Sequence, residues 1–136
     1  EVFQNKYRKE FTEPTKIYLN QILSVIDNCK VSGMMHITGG AFTKLKDILD
    51  KNNAIITHPK ALQPQKIFLD MNNRGLGNQM MYKTFNCGIG FVLSVPKKES
   101  YKVISKLPKS AIIGEVIKGK GIVQIKSIFD NKTINI

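Results

Sequence analysis

His36, Thr38, Gly39 and Gly40 stand together in the stretch MMHITGGAFTKLKDIL, residues 34–49, and their types and spacing suit one kind of chemistry. An apolar run ends there, two glycines follow, and a helix-like pattern begins. Glycines let the backbone come close to a ligand. Free N–H groups at a helix start point outward, and the peptide dipoles favour negative charge there. His36 and Thr38 add side-chain donors. Lys44 and Lys46 follow, while the first acid, Asp47, comes too late to repel a phosphate. That local chemistry favours an anion. The same pair also makes a plain strand-to-helix turn, and the residues alone favour that reading slightly: TGG lacks the lysine and hydroxyl of GxxxxGK[ST] and is not GxGxxG. A lone histidine is likewise more often a satisfied core residue than a catalyst.

No other cluster competes. Cys29, Cys87, His36 and His58 lack zinc spacing, and no Ser-His-Asp or Cys-His arrangement stands out. Cys87 reads as a small buried hydrophobe, and Met34, Met35, Met80 and Met81 read as core filler. The glycines of FNCGIG read as close backbone packing or a bulge.

The elements that must position these residues follow from periodicity. Residues 14–28 predict a helix, with Pro14 in its first turn and Ile17, Leu19, Ile22, Leu23, Val25 and Ile26 returning to one side. SGMMHI predicts a buried strand and GAFTKLKDILDK a second helix with Phe42, Leu45, Ile48 and Leu49 inward. NAIITHP reads as a strand closed by Pro59, PQKIFLDMNNRG as a helix, and NQMMYKTF as a short helical piece. CGIGFVLSVP, apolar from Ile89 to Val95, predicts a central strand. KKESYKVISKL is an amphipathic helix, and AIIGEVIKG and GIVQIKSI straddle KGKG as a closing hairpin. The expected fold class is α/β (α+β), a layered α/β/α sandwich on a mixed sheet.

With 136 residues, 42% of them hydrophobic, the chain can build one substantial core. It has no apolar run of bilayer-spanning length and no signal-peptide layout at its start, and its two distant cysteines suggest no disulfide framework; a cytoplasmic protein with reduced thiols is expected. The net charge of +11 admits a nucleic-acid binder or a basic surface that attracts phosphorylated small molecules. Arg8 and Arg74 are the only arginines and the lysines are scattered, which disfavours base reading through arginine forks.

Four segments, EPTKIY (13–18), HITGGAF (36–42), MYKTFNCGIGFV (81–92) and IGEV (113–116), occur in this order and at these separations. Together they resemble the C-terminal domain of aminoimidazole ribonucleotide synthetase, also called phosphoribosylformylglycinamidine cyclo-ligase, over about residues 12–126. The resemblance implies a partly ferredoxin-like domain at 12–136, with 1–11 as a linker or tail remnant. It implies an ATP-dependent ligase of de novo purine biosynthesis. ATP phosphorylates the amide oxygen of formylglycinamidine ribonucleotide, and an internal nitrogen then displaces phosphate to close the ring. ATP and Mg would be bound mostly by an N-terminal domain outside this sequence, so that this domain alone is inactive and holds no metal. It would expose an apolar face toward that domain, in a full-length homodimer.

The resemblance also assigns residues. His36, Thr38, Gly39 and Gly40 form the phosphate-facing loop, with His36 the one catalytic candidate. Thr15 and Lys16 begin the first helix on the cleft side, and Thr84 and Asn86 lie near the cleft. Three features depart from the family: Ala41 replaces a third glycine, Lys16 replaces an arginine, and TKLKDIL lacks the Asn-Ile-Pro run of bacterial relatives. A paralogue acting on another substrate and a basic nucleic-acid-binding module are the alternatives.

Overall fold

The computed structural model describes residues 1–136 and shows an α+β domain with two sheets. The first sheet is a two-stranded ribbon, β1 (Gly33–His36) against β3 (Phe91–Ser94), antiparallel, with Met35 opposite Val92 and His36 opposite Phe91. The second is a mixed sheet formed by β2 (Asn52–Ile56), β4 (Gly114–Lys118), β5 (Val123–Lys126) and β6 (Thr133–Asn135), in the order β4-β2-β5-β6.

The ribbon separates two cores. Side chains alternate across a strand, so neighbouring residues face opposite ways. Met35 and Val92 pack into the larger core with Phe42, Leu45, Met81, Tyr82, Val123 and Ile125. Leu93 packs into the smaller one, with Val25 of α3 (Leu19–Ile26) and Val103 of α7 (Ser100–Lys106). The layers expected from sequence therefore form around the ribbon. Three further helices, α4 (Lys46–Leu49), α5 (Lys66–Asn73) and α6 (Asn78–Thr84), complete the larger half. Tyr82 of α6 sets its ring edge against Phe42 at 5.4 Å, an arrangement that contributes about 0.5–1.5 kcal/mol beyond burial. Its hydroxyl accepts the Ile128 N–H at 2.9 Å, and burial pushes its pKa up to about 12.

Several expectations need correction. The run Ile89–Val95 is not a central strand: β3 pairs with β1 alone. Its apolar character comes from being covered on both faces, and Cys87 and Gly88, both with positive φ, turn the chain before Ile89 can join a ladder. β4 and β5 do not form a hairpin. β2 inserts between them, antiparallel to β4 and parallel to β5. The side-chain oxygen of Asn53 on β2 accepts N–H groups from Lys120 and Ile122, which holds the KGKG loop across the start of β2. The first long helix begins at Leu19 rather than 14, and Thr15–Ile17 are not helical. Ile17 is 84% exposed, so its apparent place on the apolar face was accidental. The second helix opens as a 3-10 turn, Ala41–Leu45, before α4. Among the methionines Met81 is fully buried, but Met34 and Met80 are exposed.

The stretch before Phe11 is ordered helix, α1 (Val2–Lys6) and α2 (Arg8–Thr12), anchored on α5. Tyr7 is buried, and its hydroxyl and the Lys6 ammonium both donate to one oxygen of Asp70. The hydrogen bond from Lys6 is the largest influence holding the Asp70 carboxyl below the ordinary carboxylate range. Arg74 lies 4.8 Å from the centre of the Phe3 ring, a second tie between arm and helix.

His58, just past β2, is the unsatisfied group of the larger half. Neither ring nitrogen has a hydrogen-bond partner. Burial pushes its pKa below the ordinary 6.5, opposed only in part by the Leu62 backbone, which lies near but outside hydrogen-bonding geometry. The native state thus refuses a proton that the unfolded chain accepts below 6.5. Stability contributed by neutral His58 is complete above pH 6.5 and declines as pH falls toward the native value. Replacing His58 with phenylalanine should leave the melting temperature at pH 7.5 unchanged or higher, because two orphaned polar atoms leave the interior. It should also flatten the melting-temperature decline between pH 6.5 and 5. Thermal melts across that range check this, and an unchanged slope in the variant would exclude His58 as its source.

Candidate functional site

The ribbon ends at His36, and the chain then turns through Thr38–Gly40 into the 3-10 segment. The Ile37 N–H donates to the Gly90 carbonyl at 2.9 Å and the Ala41 N–H to the Thr38 carbonyl at 2.7 Å, closing the turn. Gly40 has φ 81°, in the left-handed region where a side chain is strained. The N–H groups of Gly39 and Gly40 donate to no backbone carbonyl. A Cβ built on Gly39 would meet nothing within 4 Å, so packing does not demand glycine there. Beside the turn, the Lys44 ammonium donates to the Thr38 hydroxyl at 2.8 Å. The turn offers two free N–H groups, a hydroxyl and a cation, a donor set that suits a phosphate or carboxylate.

On the other side of His36 lies an aromatic wall. Tyr18 sits at the N-terminus of α3, Phe91 lies opposite His36 on the ribbon, and the three rings have centroids 5.3–5.8 Å apart. The Lys16 ammonium stands 5.0 Å from the centre of the Tyr18 ring. Thr15, Lys16, Tyr18, His36 and Phe91 line one open hollow. Burial raises the Tyr18 pKa, which keeps the phenol protonated.

The structure therefore brings Thr15, Lys16 and His36 together at the hollow and places Thr38, Gly39 and Gly40 directly after His36. Thr84 and Asn86 do not line it. The Thr84 hydroxyl, exposed at the end of α6, faces the Met80 sulfur at 3.5 Å. The Asn86 side-chain oxygen accepts the Gly88 N–H at 3.0 Å and shapes the loop before β3. Cys87 is buried with its thiol pushed up to about 12, in keeping with a packing role. Tyr18 and Phe91, which share the hollow with His36, were not among the expected site residues. Lys44 was expected only as a basic residue after the turn. The pairing of Phe91 with His36 depends on strand register, which no local pattern reveals.

Groups of three or more His, Cys, Asp or Glu that could hold a metal are absent. No helix is long and apolar enough to cross a membrane.

The α+β domain thus carries a glycine turn with Lys44 beside it and, at His36, an aromatic hollow. The chain belongs to the family described as AIR synthase related protein, C-terminal domain, whose family model matches residues 4–126. It is 36% identical over 121 residues to a phosphoribosylformylglycinamidine cyclo-ligase of Methanopyrus kandleri, a match covering 85% of this chain and 34% of that protein. It is 38% identical over 121 residues to the cyclo-ligase of Saccharolobus solfataricus, covering 87% of this chain and 36% of that protein. With the cyclo-ligase of Clostridium perfringens it shares 37% identity over 103 residues, covering 74% and 31%. The chain thus spans about a third of the length of the curated relatives it matches.

Proposed function

We propose that this chain serves as the C-terminal part of a phosphoribosylformylglycinamidine cyclo-ligase, a cytoplasmic, ATP-dependent enzyme of purine biosynthesis. In this reading residues 12–136 form the C-terminal domain and 1–11 join it to an N-terminal domain. The observation that carries the reading is the Thr38–Gly40 turn: two uncommitted N–H groups and a hydroxyl bonded to Lys44, in a chain of this family. The turn receives a phosphate of the ribonucleotide substrate or the phosphoryl group in transit. His36 sits at its edge as a group able to exchange a proton with the reacting amide or amidine. Thr15 and Lys16 close the other side.

The donor set fits the phosphate end of a nucleotide and not its magnesium, since no carboxylates gather near it. ATP and Mg are accordingly assigned mostly to the N-terminal domain. The reaction needs a carbonyl oxygen made into a good leaving group, which phosphorylation supplies, and a nucleophile in the same molecule, which proximity favours. Leu19, Leu23 and Ile26, an exposed apolar row along α3, support a docking face for the other domain, in an enzyme that works as a homodimer.

The test is to incubate the complete protein carrying this chain with formylglycinamidine ribonucleotide, ATP and magnesium and to follow aminoimidazole ribonucleotide. ATP-dependent product is expected. ATP binding without product would replace this reading with a paralogue that uses another acceptor, and absence of both would overturn the ligase reading.

A further inference from the structure

We infer that the contact of Lys6 and Tyr7 with Asp70 is a latch that positions Thr15 and Lys16 at the hollow, so that Tyr7 and Asp70 are positioning residues of a site they do not touch. The inference rests on the ligase reading only for what the hollow receives. Little else holds the start of the chain. Tyr7 is the one buried side chain among residues 1–17, and it stands at the joint where α1 ends and α2 begins. Phe3 packs its ring against Tyr7, with centroids 4.9 Å apart. Attachment therefore converges on α5: Asp70 accepts from both Lys6 and Tyr7, and Arg74, one turn further on, lies over Phe3.

Between the arm and α3 the chain is a strap. The Thr12 hydroxyl donates to the Arg8 and Lys9 carbonyls at 3.0 and 3.2 Å and closes α2. Residues 13–17 are exposed throughout and make no backbone hydrogen bond. A segment with neither burial nor hydrogen bonds lies where its two ends put it. Pro14 narrows the path by fixing its own φ and restricting Glu13. One end is Tyr18, whose phenol lies so close to Gly90 that a Cβ there would collide with it. The other end is α2, and through it the latch.

The strap is part of the hollow. Thr15, Lys16 and Ile17 are three of its seven lining residues, and the other four come from the start of α3 and from the ribbon. Lys16 is the only lysine or arginine among the seven, with its ammonium 5.0 Å from the centre of the Tyr18 ring. The two sides are held by different means. Tyr18, His36 and Phe91 stay together because α3 and the strand register hold them. Thr15 and Lys16 stay only while the arm is latched. With the latch broken, residues 13–17 hang from Tyr18 alone, and the hollow loses one wall and its cation.

The test uses Asp70→Ala and, independently, Tyr7→Phe, which keeps the buried ring and removes one donor. Hydrogen exchange of the 136-residue chain reads the latch. Amides of residues 5–12 should exchange about tenfold faster in Asp70→Ala, and by a smaller factor in Tyr7→Phe, with α3, α5 and the ribbon unchanged. NMR of the same chain reads the far end: the ring-current shift of the Lys16 side-chain protons should collapse in Asp70→Ala while the contacts among the Tyr18, His36 and Phe91 rings persist. In the complete protein carrying Asp70→Ala, KM for formylglycinamidine ribonucleotide should rise about tenfold with kcat nearly kept. Unchanged exchange at residues 5–12 in both variants would overturn the latch. Faster exchange with the Lys16 shift intact would overturn its reach to the hollow. A lower kcat at unchanged KM, with a lower melting temperature, would reduce Asp70 to a structural residue. No turnover by the unmodified protein would sink the ligase reading alone, because the exchange and Lys16 measurements need no substrate.

Discussion

Gly39→Val should abolish turnover of the complete enzyme, by about a hundredfold or more, while leaving the protein folded. The two halves of that expectation have separate physical grounds. Gly39 lies outside the left-handed region and a Cβ on it meets open space, so valine needs neither strained backbone nor displaced neighbours. The same open space is where an anion must come to reach the Gly39 and Gly40 N–H groups, and a branched side chain fills it. Gly40 is the wrong position for this test: at φ 81° a substitution there costs stability by itself, so lost activity would have two explanations. The measurement pairs steady-state formation of aminoimidazole ribonucleotide with a thermal melt of the same preparation. A soluble Gly39→Val protein with normal turnover would remove the turn from the site.

The second large effect is on stability. Gly88→Ala should lower stability by about 2–4 kcal/mol, from left-handed strain together with overpacking. Gly88 has φ 93°, and a Cβ there would lie 2.9 Å from the Gln63 carbonyl oxygen and 3.0 Å from the Pro64 Cα. Both are backbone atoms that cannot swing aside as a flexible side chain would. For a domain of this size the melting temperature should fall by roughly 10 °C. Gly75 provides the control. Its φ is 104° but nothing lies within 4 Å of its Cβ position, so Gly75→Ala carries strain alone, about 1 kcal/mol. If the two alanine variants melt together, the close approach of the 63–64 loop to Gly88 is not a constraint. The outcome would also test the reading of FNCGIG, since Gly88 and Gly90 each admit a close neighbour, the loop backbone in one case and the Tyr18 phenol in the other.

Much of this domain was legible in one dimension. The helices at α5, α6 and α7 and the strands at β1 and β2 follow from spacing and from the turn residues that end them, because helix and strand periods are local properties of the backbone. The glycine turn was legible as well: His36, Thr38, Gly39 and Gly40 are consecutive or nearly so, and a donor set drawn from one short segment needs no fold to assemble it. The segments EPTKIY, HITGGAF, MYKTFNCGIGFV and IGEV, read together, were enough to identify the family.

Other features were decided only by long-range pairing. KGKG looks like a hairpin turn from either side, yet β2 occupies the place between β4 and β5, and the Asn53 side chain, more than sixty residues away, holds the loop. Ile17 fits a helical stripe and is 84% exposed, because the chain before Leu19 is not helical. Thr84 and Asn86 carry polar groups too, but α6 and the loop after it keep them off the hollow at His36. Tyr18, His36 and Phe91 meet because α3 starts beside the end of a ribbon whose register sets His36 opposite Phe91. By itself the sequence determined helices α5, α6 and α7, the family and the glycine turn, since these depend on residues near one another along the chain. The tertiary structure alone decided the strand order and the aromatic hollow, because both depend on which distant segments share a face, and no local period records that.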